Sequence, residues 1–104
     1  MELFVVHSVY GGFVEKVSID MEIAAEFDDG KHTIALMEVC EREYQFSKES
    51  NGGQAQIFVL LQTFDDDISN TPVGVAFCES NADRWVKSSS CINKKWQVCP
   101  VQEN

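Results

Sequence analysis

The sequence predicts an α+β fold: two pseudo-repeated ββαβ units forming a two-layer antiparallel sheet with helices on one side. Three observations predict it. The stretch from Leu3 to Cys40 reads as strand, Gly-Gly turn, strand, short helix, strand, and a second copy of that order runs from Ile57 to Val101. The two copies align in blocks, at offsets of 54, 58 and 62 residues. Each change of offset falls where a loop lengthens, as a structural repeat requires. The alternative is an all-β sandwich or barrel, which follows if residues 17–27 form one long strand.

In chain order, Leu3–Val9 is rich in β-branched and aromatic residues and reads as a strand. Tyr10-Gly11-Gly12 is a turn, because glycine reaches the positive φ that a tight hairpin needs. Phe13–Ile19 returns as the second strand. Asp20–Gly30 supports two readings. With period two, Val17, Ile19, Met21, Ile23, Ala25 and Phe27 alternate with polar residues; with helical spacing, Met21, Ala24 and Ala25 line one stripe between an Asp20 cap and Gly30. The second copy favours the helix. Thr33–Cys40 is apolar on both faces and predicts a central strand, which Tyr44 and Phe46 extend or lead into the crossover. Ser47–Gly53 is a polar connection. One domain, 1–104, is expected, with halves 1–46 and 54–104.

Ile57–Phe64 is the most apolar run and reads as a buried strand, followed by a polar loop, Asp65–Pro72, and a strand, Val73–Phe77. Ser80 and Asp83 have capping-box spacing, with Ala82, Trp85 and Val86 at i, i+3, i+4, so a helix is expected there. Lys94–Val101 is the last strand. Pro100 cannot donate to a ladder and predicts an edge.

The opening Leu-Phe-Val-Val-His-Ser-Val-Tyr-Gly-Gly, with its return strand and acid-capped helix, resembles the openings of small uncharacterised phage-encoded proteins over residues 3–40. The resemblance implies an accessory or host-antagonist protein and carries no functional residues across.

Charge narrows the function classes. The formal net charge is -9, with 11 acids against 4 bases in residues 1–53 and 6 against 4 thereafter. That balance argues against direct binding to nucleic acid or an anionic membrane, both of which need a basic surface. It favours a basic protein partner, including a nucleic-acid-binding protein whose groove the acids would occupy by mimicry. The partner-binding candidates are Glu22, Glu26, Asp28 and Asp29 on the first helix, and Asp65, Asp66 and Asp67 in the densest acid run. Glu38, Glu41 and Glu43 on the neighbouring strand extend the acidic face. Tyr10, Tyr44 and Trp96 are candidate aromatic anchors.

Catalytic equipment is missing from the sequence: it has no GxSxG, Walker loop, GxGxxG, HExxH or CxxC. Cys78, Cys91 and Cys99 lack the close pairing of structural zinc ligands, and Cys40 would need His7 or His32 to complete a set. Cys78 precedes the second helix, where a thiol becomes more acidic, but a nucleophile also needs a base, and only His7 and His32 exist. The expectation is therefore a non-enzymatic module without cofactor or metal: an acidic inhibitor or antagonist of a basic host protein. The opening lacks a basic signal-peptide region and no run reaches a membrane span, which predicts a cytoplasmic protein, in the host cytoplasm if viral. Two other classes stay open. One is a small-ligand or nucleotide-binding domain with its site between the halves; the other is a structural subunit, a homodimer through an edge strand.

Overall fold

Alternation places Leu3 and Val5 on one face of strand β1 (Glu2–Ser8) and Phe4 and Val6 on the other. β1 pairs antiparallel with β2 (Val14–Ser18), Val5 opposite Val17, and with β3 (His32–Glu38), Val5 opposite Ala35. The later half builds a second triplet in which β4 (Gln56–Gln62) lies between β5 (Thr71–Ala76) and β6 (Lys94–Gln102), with Val59 opposite Val75 and Gln97. The strands form one six-stranded sheet in the order β3-β1-β2-β6-β4-β5. Helices α1 (Met21–Ala25), α2 (Glu41–Ser50) and α3 (Glu79–Lys87) complete the chain path. The structure is a computed structural model that describes residues 1–8, 13–25, 30–63, 71–88 and 93–103.

The two ends of the sheet, β3 and β5, come within contact of one another, so the sheet curls into a nearly closed barrel. Its interior is aliphatic. Leu3, Val5, Val17, Ile57, Val59, Leu61 and Val101 are each at most 1% exposed and belong to one cluster. Val6 faces away from Val5 yet is fully buried, because α1 packs over the outside of β1 and β2. α3 covers the corresponding surface of β4, β5 and β6, where Asp83 accepts a 2.8 Å hydrogen bond from the Trp96 indole. Ala24 and Ala82, both fully buried, let these helices approach closely.

Both hairpins break register once. β2 bulges at Glu15, between the pairs Val6–Lys16 and His7–Val14, and β5 bulges at Val73, between Leu60–Gly74 and Leu61–Pro72. The extra residue bends the strand and sharpens its twist, which helps the sheet curl.

The halves meet at β2 and β6, which run parallel and pair only at Val17–Val101 and Ser18–Gln102. Away from these pairs the strands splay, leaving a groove of about 320 Å³ beside Val14, Lys16 and Pro100. The Gln97 side chain spans it. Its Oε1 accepts from the Val14 N–H at 2.9 Å and its Nε2 donates to the Val14 carbonyl at 2.9 Å. One primary amide thus replaces a ladder rung. Ser47 does the same for Gln56, donating to its carbonyl at 2.8 Å and accepting from its N–H at 3.0 Å. That bond seats α2 across one end of the barrel, with Tyr44 in the core.

Several expectations need correction. Residues 41–50 are helical, whereas Tyr44 and Phe46 were expected to extend a strand or lead into the crossover and Ser47–Gly53 to be a polar connection. Glutamates in the first turn and Lys48 in the last suit the helix dipole, and Gly52 (φ 72°) and Gly53 (φ 98°) end the turn that follows in the left-handed region. The sheet is not wholly antiparallel, given the β2–β6 pair, and it curls, so elements of the helical and barrel readings coexist. Met21–Ala25 is helical, which removes the single long strand; 26–29 lie outside the described residues. β3 is at the end of the sheet, not its centre, and its apolar outer residue Leu36 is 57% exposed. β6 is interior, not an edge. Since the Val101 N–H turns toward Ala55, the missing N–H of Pro100 faces the groove, where β2 has already diverged. The α3 cap is Cys78, not Ser80.

Gln97→Ala leaves the Val14 N–H and carbonyl without their partner at the junction of the halves. Urea denaturation is expected to show a loss of roughly 1–3 kcal/mol; an unchanged midpoint would mean that solvent replaces the amide freely.

Candidate protein-docking surface

α2 has two unlike faces. Tyr44 and Ser47, at i and i+3, turn inward, whereas Arg42, Gln45, Phe46 and Glu49 turn outward. Phe46 is 71% exposed, an unusual place for a phenyl ring on a helix that otherwise presents charge. A shallow hollow runs along the helix past Glu41, Arg42, Gln45, Phe46 and Glu49. A second, of about 400 Å³, lies between α2 and the start of α3, where Phe46 and Phe77 supply the apolar wall and Arg42, Glu43, Cys78 and Asn81 the rim. Phe46 and Arg42 belong to both.

The inward face is pinned. The Tyr44 hydroxyl donates to Glu103 Oε1 at 2.6 Å and the Lys48 ammonium donates to Glu103 Oε2 at 2.8 Å. The Lys48 and Tyr44 hydrogen bonds hold the Glu103 carboxyl below its ordinary value. Burial, reinforced by Glu103, pushes the Tyr44 hydroxyl well above its ordinary value, so it remains a donor. These bonds fix the position of α2 and, through it, the direction in which Phe46 points.

Cys78 is exposed at the start of α3, its Sγ 3.4 Å from the Ser80 hydroxyl. The Ser80 hydroxyl and the Asn81 N–H lower its thiol below the ordinary value. Cys40 is exposed in the equivalent place before α2, and Cys99 is buried, which pushes its thiol up to about 11. Cys91 lies outside the described residues. His7 and His32 sit at the opposite end of the strands from Cys78, so the structure does not assemble a cysteine–histidine pair from them. His7 is half-buried; its Nδ1 has no partner among the described residues, and burial lowers its pKa. His32 is half-buried rather than free in solvent, with Nε2 3.6 Å from Glu15 Oε1. Among the described residues, no group of three or more His, Cys, Asp or Glu is placed to hold a metal, and no helix is long and apolar enough to cross a membrane.

Of the expected partner-binding acids, Glu22 is exposed on α1, its N–H capped by Asp20 Oδ1 at 2.8 Å. Glu26, Asp28, Asp29, Asp65, Asp66 and Asp67 lie outside the described residues. Glu38 is exposed at the end of β3, and Glu41 and Glu43 stand on α2 rather than on a strand. Two expected anchors are packing residues. Tyr44 is buried, and Trp96 meets Phe58 edge to face at 5.1 Å; Tyr10 lies outside the described residues. Phe46 was missed because it was read as extending a strand or starting the crossover, not as helical. The helical spacing of Tyr44, Ser47 and Lys48 was the available signal, and it puts Phe46 on the far side.

Because the folded state lowers the Glu103 pKa, its contribution is complete above the ordinary carboxyl value of 4.5 and fades as pH falls through the lower folded value. Melting curves of the wild type and Glu103→Gln are expected to differ most near neutral pH and to converge well below pH 4.5. A constant gap across that range would rule out an ionised Glu103 as the source.

Compared with known proteins, the chain matches no family model, no curated protein and no solved structure.

Proposed function

We propose that this chain is a non-enzymatic protein-binding module, built from a duplicated ββαβ unit, that docks a basic protein through the outer face of α2. The observation that carries the reading is Phe46. A largely exposed aromatic ring, fixed on a helix by partly buried hydrogen bonds beneath it and edged by Glu41, Glu43 and Glu49, has the form of an interface anchor. The surrounding carboxylates and the net charge of -9 select a positively charged partner.

The duplication is supported by register. Val5–Val17 and Val59–Val75 are matched pairs at the offsets of 54 and 58, and so are the bulges at Glu15 and Val73. Leu3–Met37 and Ile57–Cys99 match at 54 and 62. The hydrogen bonds Val39 N–H to Met1 O and Val101 N–H to Ala55 O, both 2.8 Å, match as well. In each half the strands stand in the same spatial order: third, first, second. A small-ligand site between the halves is disfavoured, since the Gln97 side chain spans the groove there. The resemblance of residues 3–40 to phage-encoded proteins, read from the sequence, favours an antagonist of a basic host protein, with carboxylates standing in for phosphates where the target binds nucleic acid.

Affinity capture from a bacterial lysate tests this. Phe46→Ala is expected to weaken the captured complex by about tenfold or more, the effect of losing an anchor, and Glu41→Lys with Glu49→Lys to abolish it. Capture should fall as salt rises. A complex indifferent to all three changes would reject α2 as the docking face.

A further inference from the structure

We propose that Cys40 and Cys78 form an oxidation site: a small-molecule disulfide such as oxidised glutathione joins them in a cross-link that closes the β3–β5 seam. The inference is independent of what docks on α2.

The sheet order and pairing senses make β3 and β5 run in the same direction, so they finish at the same end of the barrel. Their edges make contact, but no ladder joins them among the described residues. Each chain then continues through one core residue, Val39 or Phe77, which pack on the same cluster. The next residue in each case is a free, exposed cysteine in extended conformation at the start of a helix, and neither makes a side-chain capping bond. Arg42 and Glu43, just beyond Cys40, line one hollow with Cys78. The closed seam shows the same arrangement without sulfur. Gln102 and Asp20 stand at the positions of Cys40 and Cys78 by the offsets of 62 and 58, and there the Ile19 N–H reaches the Gln102 carbonyl at 3.1 Å.

The contacts also explain why the second seam needs a staple. Gln97 and Val14, which zip the first, correspond to Ala35 and Pro72. Ala35 has no amide to span a gap, and Pro72 has no N–H to offer.

Two exchanges make the bond. The Cys78 thiolate attacks one sulfur of oxidised glutathione, displacing a glutathione thiolate and leaving a mixed disulfide. Cys40 releases its proton to water, and its thiolate attacks the Cys78 sulfur, displacing the second glutathione. Two protein thiols are oxidised and one glutathione disulfide is reduced to two thiols. The Ser80 and Asn81 contacts that acidify Cys78 suit it to the first attack.

The purified chain, as wild type and as Cys91→Ser, is treated with oxidised glutathione at neutral pH and followed by intact mass and non-reducing peptide mapping. Both proteins should lose two hydrogens, retain no glutathione, and yield one linked pair of peptides carrying Cys40 and Cys78. Cys40→Ser should instead hold one glutathione on Cys78. Circular dichroism confirms that these variants fold. A chain that stays reduced, carries a separate glutathione on each cysteine, links between copies, or links through Cys91 or Cys99 would overturn the assignment.

Discussion

The fold depends on one shared interior. Leu3, Val5 and Val17 from the first half meet Ile57, Val59 and Val101 from the second in a single dry cluster. A three-stranded sheet with a short helix on its outside leaves that inner apolar face bare to water, which is costly in proportion to its area. Curling both triplets around the same aliphatic centre removes the problem for each. Everything else follows from closing that barrel: bulges that bend the hairpins, α1 and α3 on the outside, α2 across one end.

Closure is uneven, and the difference lies in single side chains. At β2–β6 two paired residues and the Gln97 amide hold the halves together. At β3–β5 the chain turns away after Val39 to form α2, since the first half must be connected to the second, and the strands touch without a ladder. Connectivity therefore explains why a sheet built from two similar triplets has one bonded seam and one open seam. The open seam and the anchor ring of α2 are neighbours for the same reason: both arise where β3 gives way to that helix.

Much of this was legible in the sequence. The strands were, because their inner residues alternate and a barrel interior rewards period two. The proposed repeat was read from such matches as Leu3-Phe-Val5 with Ile57-Phe-Val59 and Met37-Glu-Val39 with Cys99-Pro-Val101. α2 was not legible, because its inward stripe is Tyr44, Ser47 and Lys48, which gives no hydrophobic period; one of its anchors is a hydrogen bond to Glu103, far along the chain. β3 was misplaced because it is apolar on both faces while only one is interior. Pro100 pointed to a missing ladder correctly but not to an edge, since a local divergence of β2 satisfies the same constraint. Acid content suggested the sign of the proposed partner's charge, whereas the proposed place of contact rests on a helix that composition could not reveal.

β6 is the sixth strand along the sequence, yet it occupies the middle of the sheet, between β2 and β4. Until it inserts, both neighbours present bare edges and the β2–β6 junction does not exist. The pair Val17–Val101 spans most of the chain, so its closure entropy falls late in assembly. A chain in which β6 has not yet been added would hold two unfinished sheets side by side, open to strands from other molecules.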